Sequence, residues 1–122
     1  MIEFTNFKAE DGIPIYLQII SFIKSGIVSG EIKNNDELPS RRVLSALLGV
    51  NPNTVQKAYK LLDDESIIIS QAGAKSNISV TEEKAAEIKD ELTKTRALKA
   101  VSLLKQTGLS KDEAVLLLER YW

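Results

Sequence analysis

A mainly α-helical fold with one small β-hairpin is what this sequence predicts, and three features predict it. Apolar residues recur at spacings of three and four from Pro14 to Val28, and again along most of the chain after Thr81. Two short apolar-faced segments meet at the tight turn Gly49-Val50-Asn51. Two β-prone pieces, Ile67-Ile68-Ile69 and Ile78-Ser79-Val80, flank a loop Ser70–Asn77 that contains Gly73 and Lys75.

Taken in order, the first helix carries Tyr16, Ile19, Ile20, Ile23 and Ile27 on one side, with Pro14 suited to its first turn and Gly30 to its end. Glu31–Glu37 is polar and reads as a turn centred on Asn34-Asn35-Asp36. Ser40 is placed to cap a second helix of about two turns, whose apolar face is read as Val43, Leu44, Leu47 and Leu48, and Gly49 stops it. Asn51 caps a third helix that opens on Pro52 and runs to about Glu65. Its stripe Val55, Ala58, Tyr59, Leu62 opposes Asn53, Gln56, Lys57, Lys60, so one face packs and the other is free. Tyr16, Ile23, Leu44, Leu47, Val55, Tyr59 and Leu62 are assigned to packing, and Asp63-Asp64-Glu65 to a solvated helix end.

After the hairpin a long helix starts near Thr81, with Glu82 and Glu83 in its first turn, and continues to about Thr107 before Gly108. Ser110 and Glu113 form a capping box for a last helix with Ala114, Leu117, Leu118 and Tyr121 on one side.

Composition sets limits on function. The 122 residues amount to one domain, or one small domain with an appendage, and 43% hydrophobic content is enough for a core. No apolar run approaches the roughly 20 residues of a membrane span, and MIEFTNFKAEDG lacks the layout of a secretory signal, so a cytoplasmic protein without membrane association is expected. Cysteine and histidine are both absent, which removes thiolate chemistry, the commonest general base and the commonest metal ligands. No catalytic residue, metal ligand or cofactor is assigned, and an enzyme is not expected.

The net charge of −1 conceals a local asymmetry. From Leu38 to Leu62 the chain carries Arg41, Arg42, Lys57 and Lys60 but no Asp or Glu. Cations suit phosphates, and the amides of Asn53 and Gln56 can meet a base edge bidentately. Thr54 adds a hydroxyl and a methyl at the helix start, the end that enters the major groove when a helix-turn-helix docks. The hairpin after the third helix has the position of a wing, with Gly73 and Lys75 at its tip. Double-stranded operator DNA is the partner this pattern predicts.

The segment LPSRRVLSALLGVNPNTVQKAYKLLDDESII resembles the GntR family of bacterial regulators, and NPNTV with the short tail resembles its YtrA subfamily. The resemblance extends over about residues 12–80. It implies a winged helix-turn-helix in which Arg42, Asn53, Thr54, Gln56 and Gly73 lie at the DNA, with Ser40 and Asn51 capping the two helices and reaching phosphates. It also implies regulated genes that encode a membrane transporter.

The expected organisation is a DNA-binding domain over 1–80 and a two-helix dimerisation tail over 81–122. Ile88, Leu92, Leu98, Val101, Leu104, Leu117, Leu118 and Tyr121 form its apolar stripes. The expected protein is a homodimeric repressor on an inverted-repeat operator. No separate effector domain is expected in a tail of this length, and the sequence identifies no small-molecule effector. The alternative is a winged helix that binds another protein, with its basic face merely solvated.

Overall fold

The computed structural model describes residues 1–70 and 75–122. The chain divides into two compact units, Met1–Ile88 and Lys89–Trp122. Along it run α1 (Ile15–Ser29), β1 (Glu37–Leu38), α2 (Arg41–Leu48), α3 (Pro52–Asp64), β2 (Ile68–Ser70), β3 (Ser76–Ile78), α4 (Glu82–Gln106) and α5 (Lys111–Tyr121).

In the first unit, α1, α2 and α3 enclose a core with the small sheet against it. Ile19, Ile23, Leu38, Leu44, Val55, Leu62, Ile67, Ile68 and Ile78 are fully buried, and Ala85 and Ile88 from the start of α4 join them. Burying an aliphatic side chain of this kind contributes about 1.5–3 kcal/mol. The caps form as the sequence predicts: Ser40 Oγ accepts the Val43 amide at 3.2 Å, and Asn51 Oδ1 accepts the Asn53 amide at 2.8 Å. Between the two helices Gly49 adopts φ 65°, a left-handed turn that glycine enters without steric cost.

The expected apolar face of α2 is only half right. Leu44 and Ser45 are buried and Leu48 is half-buried, whereas Val43 is 48% and Leu47 66% exposed. An eight-residue helix packed on α3 along one ridge buries one i, i+4 pair; here it is Leu44/Leu48, and Val43/Leu47 lies to the side.

The hairpin is present but shifted toward the loop, and the sheet has a third strand. β2 and β3 pair antiparallel in the register Ile68↔Ile78, Ile69↔Asn77, Ser70↔Ser76. β1 pairs with β3 on its other edge, giving the order β1-β3-β2. The polar stretch before β1, read from sequence as a turn, is bound to the wing. Asn34 Nδ2 donates to the Val80 carbonyl at 2.8 Å while Asn34 Oδ1 accepts the Val80 amide at 2.7 Å. The N-terminal segment also joins this unit: the Ile2 amide donates to the Glu37 carbonyl at 2.7 Å, and Phe4 stacks on Phe22 at 4.8 Å with Phe7 nearby.

In the second unit, α5 starts in the predicted capping box: the Ser110 amide donates to Glu113 Oε1 at 3.0 Å and the Glu113 amide to Ser110 Oγ at 3.2 Å. Hydrogen bonding to the carboxylate from Ser110, its backbone amide first, holds the Glu113 carboxyl below the usual carboxylate range. Among the described residues no helix is long and apolar enough to cross a membrane.

Beside the apolar packing, a buried polar contact ties α3 to the start of α2: the Tyr59 hydroxyl donates to the Pro39 carbonyl at 2.7 Å. Burial pushes the phenol well above its ordinary pKa, so it stays a donor at any working pH. Tyr59→Phe leaves a buried carbonyl without its partner and is expected to lower the unfolding free energy by about 1–2 kcal/mol in urea. An unchanged midpoint would show that the bond contributes nothing net.

Candidate nucleic-acid interface

The buried stripe of α3, Val55, Ala58, Tyr59 and Leu62, holds the helix in the core and turns the opposite stripe to solvent. Asn53, Gln56, Lys57 and Lys60 are all exposed, as the periodicity predicts, and Thr54 is half-buried beside them. Arg41 and Arg42 are exposed in the first turn of α2. The hydroxyl that links Tyr59 to Pro39 ties α3 to the residue just before the α2 cap. The two helix starts are therefore fixed relative to each other within one packed unit.

The cations of this surface differ in their partners. Among the described residues Arg41 and Arg42 make no ion pair, so their guanidinium donors are open to a phosphate or a base edge. Lys60 pairs with Asp64 at 3.5 Å one turn along α3, an exposed contact that contributes only about 0.3–0.5 kcal/mol and yields readily to a phosphate. Lys57 lies with its ammonium 4.1 Å from the centre of the Tyr16 ring. The acidic end of α3 is more engaged than the sequence suggests, because Glu65 also accepts Lys24 of α1 at 3.1 Å.

Ser40 and Asn51 both spend a side-chain oxygen on their helix caps. Lys75 is exposed immediately before β3. Gly73 lies outside the described residues.

A second surface lies on the tail. Leu98 is 61% and Tyr121 76% exposed, Val101, Leu117 and Leu118 are also exposed, and Leu92 and Leu104 are half-buried. Val101, Leu104 and Leu118 line one groove of about 520 Å³ together with Leu109, Ala114 and Val115. Ile88 is placed differently: at 2% exposure it belongs to the core of the first unit, not to an outward stripe.

Sequence reasoning missed Tyr16, which it assigned to packing alone. A contact between two helices leaves no periodic trace in either, and only the nearness of α1 to the free edge of α3 reveals it.

Comparison with known proteins bears on the family and the fold. Residues 15–76 match the family model described as bacterial regulatory proteins, gntR family. The chain is 36% identical over 100 residues to the HTH-type transcriptional regulator YhcF of Bacillus subtilis, covering 82% of this chain and 83% of that protein. It is 42% identical over 85 residues to the HTH-type transcriptional repressor YtrA of Bacillus subtilis, covering 65% of each. Among solved structures, a GntR family transcriptional regulator from Listeria monocytogenes superimposes with a TM-score of 0.78 at 28% identity, over 92% of this chain and 98% of that one.

Arg42→Ala removes an exposed cation at the start of α2 that makes no ion pair among the described residues. It is expected to weaken binding to duplex DNA by about 1–3 kcal/mol while the thermal unfolding transition stays in place. An unaltered affinity in a titration at physiological salt would take Arg42 off the interface.

Proposed function

The chain belongs to the GntR family of bacterial regulatory proteins, in its YtrA branch, and from that premise we propose that it is a homodimeric repressor that binds an inverted-repeat operator. As a member of that family it is a DNA-binding transcriptional regulator. The observation that carries DNA binding onto particular residues is the free face of α3 beside the two α2 arginines, which make no ion pair among the described residues, on a stretch with no carboxylate from Leu38 to Leu62.

Each element of that face has a chemical task in this reading. The amides of Asn53 and Gln56 and the hydroxyl of Thr54 meet base edges, where paired donors and acceptors discriminate sequence. Arg41, Arg42, Lys57, Lys60 and Lys75 meet phosphates, which fixes register and makes affinity fall with salt. Ser40 and Asn51, at the two helix starts, sit beside amides that also suit a phosphate. Gly73 is assigned to the wing tip by its place in the loop between the two β-prone pieces, and to the DNA by the family resemblance.

Dimerisation is supported by the tail. Leu98, Val101, Leu117, Leu118 and Tyr121 leave more apolar surface in water than scattered single residues would, and a two-fold partner covers such stripes isologously. One small DNA-binding module buries only about 600–1,000 Å² of protein surface, so a second half-site adds affinity and specificity. Two recognition helices related by a two-fold axis then address major-groove faces roughly 34 Å apart, or a multiple of that. A repressor fits the description of YtrA, the relative with 42% identity. Transporter genes are the targets the YtrA resemblance suggests.

Selection of duplexes from random sequence by the full chain, combined with sedimentation, tests this function. The recovered sites are expected to be inverted repeats and the chain to sediment as a dimer. Leu98→Glu combined with Leu118→Glu should give a folded monomer that loses preference for the repeat over a single half-site by about tenfold or more. A wild-type chain that stays monomeric at micromolar concentration with its selected duplex present would contradict the dimer. Within the selected site, Gln56→Ala is expected to relax sequence preference more than it weakens binding to random DNA. An equal loss on both would remove Gln56 from base reading.

A further inference from the structure

We propose that Tyr16 is a positioning residue for DNA binding: its ring holds the Lys57 ammonium at the α1 edge of the α3 reading face, where it meets a phosphate and leaves the base edges to Asn53 and Gln56. The proposal rests on the DNA-binding role of α3. Tyr16 stands in the first turn of α1, half-buried, and Lys57 Nζ lies 4.1 Å from its ring centroid, well inside the roughly 6 Å reach of a cation–π contact.

The side-by-side course of the two helices makes this contact a built feature. Tyr16 meets Lys57, and about two turns further along both helices Lys24 meets Glu65 at 3.1 Å, so α1 and α3 are linked at two levels. The opposite flank of α3 is fixed by the Tyr59 bond to Pro39. Lys57 therefore lies on the α1 side of the reading face, with Thr54 one turn before it on the same side, and the amides of Asn53 and Gln56 lie between it and the α2 side.

The chemistry of the contact explains why a ring serves better than an acid here. A carboxylate would fix Lys57 by neutralising it, as Asp64 does in part for Lys60, and a phosphate would have to displace the acid first. An aromatic quadrupole orients the ammonium and leaves its full charge available. Among the described residues Lys57 has no ion pair, so Tyr16 is the contact that limits a long and otherwise mobile side chain.

The test uses the full chain and a duplex recovered by it from random sequence, and compares wild type, Tyr16→Phe, Tyr16→Leu, Lys57→Ala and the Tyr16→Leu/Lys57→Ala double variant. Affinity is measured across a range of salt concentrations, and the ε-methylene proton shift of Lys57 is read by NMR in the free protein. Tyr16→Leu is expected to weaken binding about three- to tenfold and Lys57→Ala to flatten the salt slope by about 1. Adding Tyr16→Leu to Lys57→Ala should cost nothing more, and Tyr16→Phe should match wild type. The Lys57 ε-protons should be shifted upfield by the ring in wild type and Tyr16→Phe and return to the ordinary position in Tyr16→Leu.

Equal losses from Tyr16→Leu in the two backgrounds would make Tyr16 a purely structural residue and overturn the proposal, as would an unshifted Lys57 signal in wild type. If Tyr16→Leu loses its thermal transition, Tyr16→Met, long and unbranched, takes its place in the same cycle. Salt-independent binding by wild type would instead refute the DNA-binding reading itself, and the Lys57 shift reports on the Tyr16 contact whichever way that falls.

Discussion

What the first unit presents to a partner depends on how α3 is divided between core and solvent. Val55, Ala58, Tyr59 and Leu62 bury one side of the helix, and the Tyr59 hydroxyl locks that side to the carbonyl of Pro39. A helix held this way cannot roll, because rotation would expose four apolar side chains and break a buried hydrogen bond. The opposite stripe is therefore presented at a fixed angle beside the first turn of α2, and the function of the surface follows from a packing decision on the other side of the same helix.

Most of that arrangement is legible in the sequence because it is written in short-range patterns. The two caps at Ser40 and Asn51 need only a polar side chain at the right place before a helix, and the two stripes of α3 need only a period of 3.6 residues. The absence of carboxylates between Leu38 and Leu62 is visible by inspection. The structure departs from expectation where the decisive partner is distant in sequence. Val43 and Leu47 fit an amphipathic pattern as well as Leu44 and Leu48 do, and only packing on α3 selects the second pair. β1 has two residues and no pattern of its own; it exists because β3 offers it an edge. Asn34 reads as a turn former, yet both ends of its amide are used to bond Val80. The Tyr16–Lys57 contact is of the same kind.

The two units differ in how far their apolar side chains are buried. In the first, even the start of α4 is drawn into the core through Ala85 and Ile88. In the second, α5 is well capped, but leucines and aromatics remain exposed, a pattern that favours association between chains. Helix termini can be stabilised locally by caps of this kind, whereas apolar faces need a partner surface.

The central claim, that the free face of α3 and the first turn of α2 form the DNA surface, is tested most directly by titrating the isotope-labelled full chain with a duplex it selects and following its backbone amide signals by NMR. The largest shifts are predicted at Ser40–Arg42, at Asn51, at Asn53–Lys60 and at Lys75. Shifts confined to Lys89–Trp122, with the α2 and α3 amides unmoved at saturation, would contradict the account.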